Sequence, residues 1–220
     1  MGGIRGFYGS MVGKKVVMGI TGLIGVGFVI VHALGNLLVF RGPDAINSYS
    51  RFLKSTGEIL WTLRIILIVA VILHVTAAIQ LTRQSRAART IGYTKYEAQV
   101  ATISSRTMRW GGALLLAFIV LHILHFTTGT IRPAGSFSTS DVYANVVMSF
   151  RIWWVSLFYV ISMIALGLHL YHGAWSSVRS IGVSPRSAEP LHRRVSLVIA
   201  VFVWAALTSI PIAVFAGLVR

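Results

Sequence analysis

The chain has 220 residues, of which 55% are hydrophobic and only 11% charged; soluble domains carry about 25% charged residues, so this composition excludes a water-solvated globule and makes the bilayer its solvent. It contains no cysteine, which excludes disulfides, thiolate-held iron–sulfur clusters and catalytic thiols in this chain and leaves His, Met or oxygen to hold any metal or haem. The net charge of +15 suits membrane topology and an anionic lipid surface; nucleic acid is not expected as a partner, because no Lys/Arg-rich run interleaved with aromatics lies outside the apolar segments.

The N-terminus carries Arg5, Lys14 and Lys15 and then turns apolar from Val16 to about Phe40. A secretory apolar region is only about 7–15 residues long, so this run reads as an uncleaved first span. It repeats glycine at Gly19, Gly22, Gly25 and Gly27, with Gly35 later. Glycine on a membrane helix permits close approach of a neighbouring helix, and it would equally let a flat macrocycle lie against the backbone. Four further apolar windows follow, roughly 60–81, 110–128, 152–175 and 195–219, each near the length of about 20 residues that crosses a bilayer. Backbone groups in hydrocarbon must bond internally, so each should be a helix. The expected fold is all-α, a single integral membrane domain over 1–220 built from five transmembrane helices. Trp61, Trp110, Trp153, Trp154 and Trp175 fall at expected span ends, where indole prefers the headgroup region; Trp204 does not. Pro211 is expected to bend the fifth helix.

Lys and Arg set the orientation. The N-terminus and the 82–109 and 176–194 connections carry 13 of them, including Arg83, Arg86, Arg89, Lys95, Arg106, Arg109, Arg179, Arg186, Arg193 and Arg194. The opposite side, with Arg64 just inside the second span, carries 7. The N-terminus is therefore expected on the cytoplasmic side and the C-terminus opposite. The two basic connections are the expected docking surface for a soluble partner.

Six of the seven histidines lie inside spans: His32, His74, His122, His125, His169 and His172. Imidazole in hydrocarbon is costly without a partner, so such residues mark function by default; the plainer alternative is helix–helix hydrogen bonding. Depth sorts them. At 1.5 Å per residue, His32 and His122 lie roughly 14–15 Å from the outer end, and His74 and His169 roughly 14–15 Å from the inner end. The two levels are expected to be roughly 10 Å apart. A haem iron with two axial imidazoles needs ligands from facing helices at one depth, and two stacked haems would connect the two membrane faces. His125 and His172 follow His122 and His169 by three residues and share their helix faces, so either of each pair could be the ligand; depth favours His122 and His169. A zinc site would want a third protein ligand, and the spans contain no Asp or Glu, which also weakens an ion-coupled transporter.

The segments KKVVMGITGLIGVGFVIVHALGNLLVF, AINSYSRFLK, LHVTAAIQLTRQSRAAR, SRTMRWGG, FIVLHILHF and GLHLYHGAWSSVRSIG, in this order and spacing, resemble the five-helix, di-haem cytochrome b subunit of succinate:quinone oxidoreductases, the family of succinate dehydrogenase and fumarate reductase. The resemblance covers nearly the whole chain. It implies two haems b with axial ligands His32, His122, His74 and His169. It implies a flavoprotein with covalent FAD and an iron–sulfur subunit docked on the cytoplasmic face of a bacterial plasma membrane, with membrane lipids around the anchor. Succinate would be oxidised in the flavoprotein, so this chain would not itself act on succinate but would pass electrons to a membrane quinone. Some family members carry an intramembrane glutamate that compensates charge movement; this chain has none. The quinone site is open: Asn47 and Tyr49 are candidates on the outer side, and His172, Ser176 and Arg179 on the inner side, with interface anchoring or propionate contact as their plainer roles. Two other readings stand beside this one. The chain could be the haem b subunit of a hydrogenase or formate dehydrogenase, or a non-redox transporter with hydrogen-bonded histidines.

Overall fold

A computed structural model describes residues 3–88, 102–182 and 185–220, without the side chains of residues 4, 5 and 186. Arg89 and Lys95 lie outside the described residues, as do the side chains of Arg5 and Arg186. Among the described residues the fold is all-helical, without strands, and five helices are long and apolar enough to cross a membrane.

Eight α-helices follow in chain order: α1 Ile4–Gly9, α2 Met11–Asn36, α3 Pro43–Ser55, α4 Glu58–Ala87, α5 Ile103–His122, α6 Val142–Phe150, α7 Trp153–Ser180 and α8 Glu189–Phe215. The spanning helices are α2, α4, α5, α7 and α8. Their starts are set by local chemistry. The Ser10 hydroxyl accepts from the Gly13 N–H to open α2, and Thr102 does the same for Ser105 at α5, each satisfying an orphan donor of the first turn.

The outer ends of the spans fall close to the apolar windows, but every span is longer at its basic end. α2 begins at Met11 rather than 16, α4 runs to Ala87 rather than 81, and α5 begins at Ile103 rather than 110. α7 runs to Ser180 rather than 175, and α8 begins at Glu189 rather than 195. The added turns carry Lys14, Lys15, Arg83, Arg86, Arg106, Arg109, Arg179, Arg193 and Arg194. Hydropathy stops at the first charge, but a helix need not. Long basic side chains keep their stems against apolar surface and their heads in water, so helical structure continues into the interface.

α2 and α7 pack together at the centre, α4 packs on α2, and α5 and α8 pack on α7. The backbones of α2 and α5, and of α4 and α7, make no comparable approach. Trp204 of α8 lies over Gly167 of α7, where a Cβ would stand 3.3 Å from the Trp204 Cβ, which gives this tryptophan a packing role. α8 continues through the fully buried Pro211 to Phe215.

The 41–59 and 129–151 connections are not plain loops. Gly42, at φ 93°, turns the chain into α3, which starts with Pro43 and has Asp44 in its first turn, both favourable at a helix N-terminus. α3 packs against α6. Beneath them lies a core of Val39, Ile46, Val146, Val147, Phe150 and Val214. This layer caps the outer end of the bundle. Many large apolar side chains of the spans, including Ile65, Ile68, Ile72, Leu197 and Val198, are exposed, as lipid-facing surface requires.

Candidate functional site

The histidines join these two pairs of separated helices. His32 of α2 and His122 of α5 face each other with ring centres 5.8 Å apart and planes at 84°. His74 of α4 and His169 of α7 do the same at 6.2 Å and 57°. The four residues expected to act in pairs are brought together in those pairs, and each pair joins two helices whose backbones stay apart. The level of each pair can be read along the helices. A Cβ on Gly22 would lie 3.3 Å from His74 Cε1, and one on Gly112 would lie 3.8 Å from His169 Cε1. His32 and His122 each follow the glycine of their own helix by ten residues, which places the levels about 15 Å apart. This exceeds the roughly 10 Å expected from depth, because the helices run past the charges taken as their ends.

The inner pair is held by α2. His74 Nδ1 lies 3.0 Å from the Met18 carbonyl oxygen and 3.4 Å from Thr21 Oγ1. The Thr21 hydroxyl is itself committed to the Val17 carbonyl at 2.7 Å. His74 therefore donates its Nδ1 proton to Met18, and its Nε2 keeps a bare lone pair. Gly22 keeps this approach open, since a Cβ there would stand 3.3 Å from the His74 ring and press it aside by a few tenths of an ångström. His169 Nδ1 and His172 Nδ1 are buried without a partner. An unsatisfied buried polar atom costs about 1–3 kcal/mol.

The outer pair is ordered differently. Phe28 stacks on His32 at 5.3 Å, and Phe118 and Phe126 flank His122. α5 ends at His122 and passes into a single π turn, Ile123–Thr127, closed by the Thr128 N–H on the Ile123 carbonyl at 3.0 Å. In a regular helix His122 and His125 would share a face. Here His125 is instead buried, with Nδ1 3.0 Å from the Tyr159 hydroxyl and Nε2 2.9 Å from Ser149 Oγ. Both its nitrogens are occupied by protein, so His125 has none left for a ligand. Tyr159 and Ser149 were missed in the sequence. A tyrosine inside a span is a signal, because its hydroxyl must find a partner; Ser149, in a connection, gave none.

Among the described residues no three His, Asp or Glu side chains converge on one point. The donor set suits haem iron, which takes two neutral imidazoles. A metal midway between two imidazole nitrogens at about 2 Å each places the ring centres roughly 6 Å apart, close to both observed spacings.

No family model, characterised protein or solved structure matches this chain.

The quinone candidates separate. Asn47 is engaged in the outer layer: its amide donates to Asp141 Oδ1 at 3.0 Å, and its carbonyl oxygen accepts from the Tyr143 N–H at 3.1 Å. Tyr49 lies over Gly35, where a Cβ would meet its ring at 2.5 Å. Ser176 and Arg179 line a groove of roughly 380 Å³ with Val12, Lys15, Trp175 and Ser180. Trp175 is flanked there by the Arg193 guanidinium at 4.4 Å and edged by His172 at 5.4 Å. Asp141 also caps α6. Its Oδ1 accepts from the Ala144 N–H at 3.0 Å, and that bond, then the Asn47 amide, holds its carboxyl below the usual carboxylate range.

Proposed function

We propose that this chain is the membrane anchor and electron carrier of a succinate:quinone oxidoreductase, holding one haem b between His32 and His122 and a second between His74 and His169. The observation that carries the reading is the two histidine pairs, each joining separated helices with ring centres 5.8 and 6.2 Å apart, at levels about 15 Å apart. The sequence resemblance supplies the family, the iron–sulfur and flavoprotein partners, and the quinone acceptor. Held by His32 with His122 and by His74 with His169, haem b would supply one-electron transfer and would leave no position for oxygen. This chain's residues do the rest. Met18 fixes the tautomer of His74, Gly22 and Gly112 leave room at the inner pair, and the aromatics around His122 keep water from the outer one. The basic helix ends form the surface on which the soluble partners dock, on the cytoplasmic side of a bacterial plasma membrane. The groove beside Trp175, Ser176 and Arg179 lies at that same end and is the better-formed candidate for the quinone, since Asn47 is already committed to Asp141 and Tyr143.

A redox-titrated visible spectrum of the purified chain tests this. Two low-spin haems per chain are expected. A folded chain that carries no haem, in a complex that still reduces quinone, would overturn it.

A further inference from the structure

His125 is buried, belongs to neither histidine pair, and has both ring nitrogens in hydrogen-bond contact. It forms the middle of a row: Ser149 Oγ to His125 Nε2 at 2.9 Å, His125 Nδ1 to Tyr159 Oη at 3.0 Å, and Tyr159 Oη to His122 Nδ1 at 3.4 Å. Tyr159 and Ser149 are buried as well, so water does not compete for these groups. A neutral imidazole has one N–H and one bare nitrogen, and the row accordingly has two self-consistent polarities. In the first, His122 donates its Nδ1 proton to Tyr159, the Tyr159 hydroxyl donates to His125 Nδ1, and His125 donates its Nε2 proton to Ser149. In the second, every proton runs the other way, and His122 carries its proton on Nε2. Only the first leaves the Nε2 of His122 bare.

We propose that Tyr159 is a positioning residue for His122, fixing its tautomer and ring orientation, while His125 and Ser149 set the direction in which the Tyr159 hydroxyl points. Its consequence for haem rests on the reading given above. A partner that accepts a ligand's N–H raises the ligand's basicity, and its loss costs roughly 10–100-fold in metal affinity.

The test compares the full-length chain with Tyr159→Phe and Ser149→Ala, using ¹⁵N-histidine NMR in lipid nanodiscs and a redox-titrated spectrum. In the unsubstituted chain the His122 proton is expected on Nδ1. In Tyr159→Phe the Nε2–H form gains, the outer haem dissociates roughly tenfold more readily, and its potential rises because the ligand is less basic. The inner haem keeps its potential, which a general loss of packing would not allow. Ser149→Ala is expected to move the same haem in the same direction by less, and it decides the matter if Tyr159→Phe does not fold. An unchanged His122 tautomer and an unchanged outer potential in a haem-loaded variant would overturn the inference and leave the haem reading standing. A haem-free chain whose His122 tautomer still depends on Tyr159 would do the reverse.

Discussion

His122 and His125 stand three residues apart, and only their partners tell them apart. One faces the His32 imidazole of α2, and the other is closed into a bonded row with Tyr159 and Ser149. On the proposed two-haem reading, His122→Ala is therefore expected to remove one haem and His74→Ala the other, read as loss of separate components in a redox titration. His125→Ala should retain both, with only the outer potential moved. If His125→Ala abolishes the outer haem while His122→Ala spares it, the ligand assignment is reversed. At the outer end Asp141 adds a pH-dependent contribution. Its carboxyl is held below its ordinary value by the Ala144 N–H and the Asn47 amide. The stabilisation is thus fully present above the unfolded value, about 4, and is lost as pH falls through the lower folded value. Protection of the α6 amides, their exchange relative to the intrinsic rate at each pH, should fall in that acid range and stay constant above about pH 5; in Asp141→Asn the acid step should vanish.

Among the elements, α2 is the most constrained. Its glycines are not equivalent. A Cβ at Gly22 would press on the His74 ring, whereas one at Gly25 would meet nothing within 4 Å. Gly22→Ala is expected to weaken the inner haem and spare the outer one, and Gly25→Ala to leave the helix packing intact. Thermal unfolding followed at the haem band distinguishes them. One expected use of the glycine repeat, close helix approach, is met at Gly19, which lies against Ser177 of α7 and Ile181 just beyond it, while Gly22 lies against the His74 imidazole of α4. At the outer end, Asn47 ties α3 to the start of α6. Asn47→Ala should cost roughly 1–2 kcal/mol by stranding a partly buried carboxylate and the Tyr143 N–H, seen as a lower midpoint in chemical unfolding.

For the molecule as a whole, five spans place the two ends of the chain on opposite faces, and the basic helix ends mark one face. The chain's lack of cysteine makes this easy to check. Ser55→Cys at the end of α3 and Arg194→Cys near the start of α8 are both at exposed positions. A membrane-impermeant maleimide should label Arg194→Cys only from the cytoplasmic side and Ser55→Cys only from the other. Labelling of both from one side would refute the five-span topology. Packing in hydrocarbon gains little from burial, since lipid is as apolar as leucine.

The sequence alone determined the number of spans, their helical nature and the two levels of histidine. Length, apolar run and 1.5 Å rise are local quantities, and hydrocarbon permits few alternatives to a helix. It placed the outer ends of the spans well and the basic ends five to seven residues short, because hydropathy penalises a charge wherever the side chain finally reaches. What only the tertiary structure decided is which atoms meet. It turned two polar connections into α3 and α6 and used Asn47 as a clamp. It also closed His125 into a bonded row with Tyr159 and Ser149. The partners of His125 lie 24 and 34 residues further along the chain, and no periodicity within one helix encodes a contact with another.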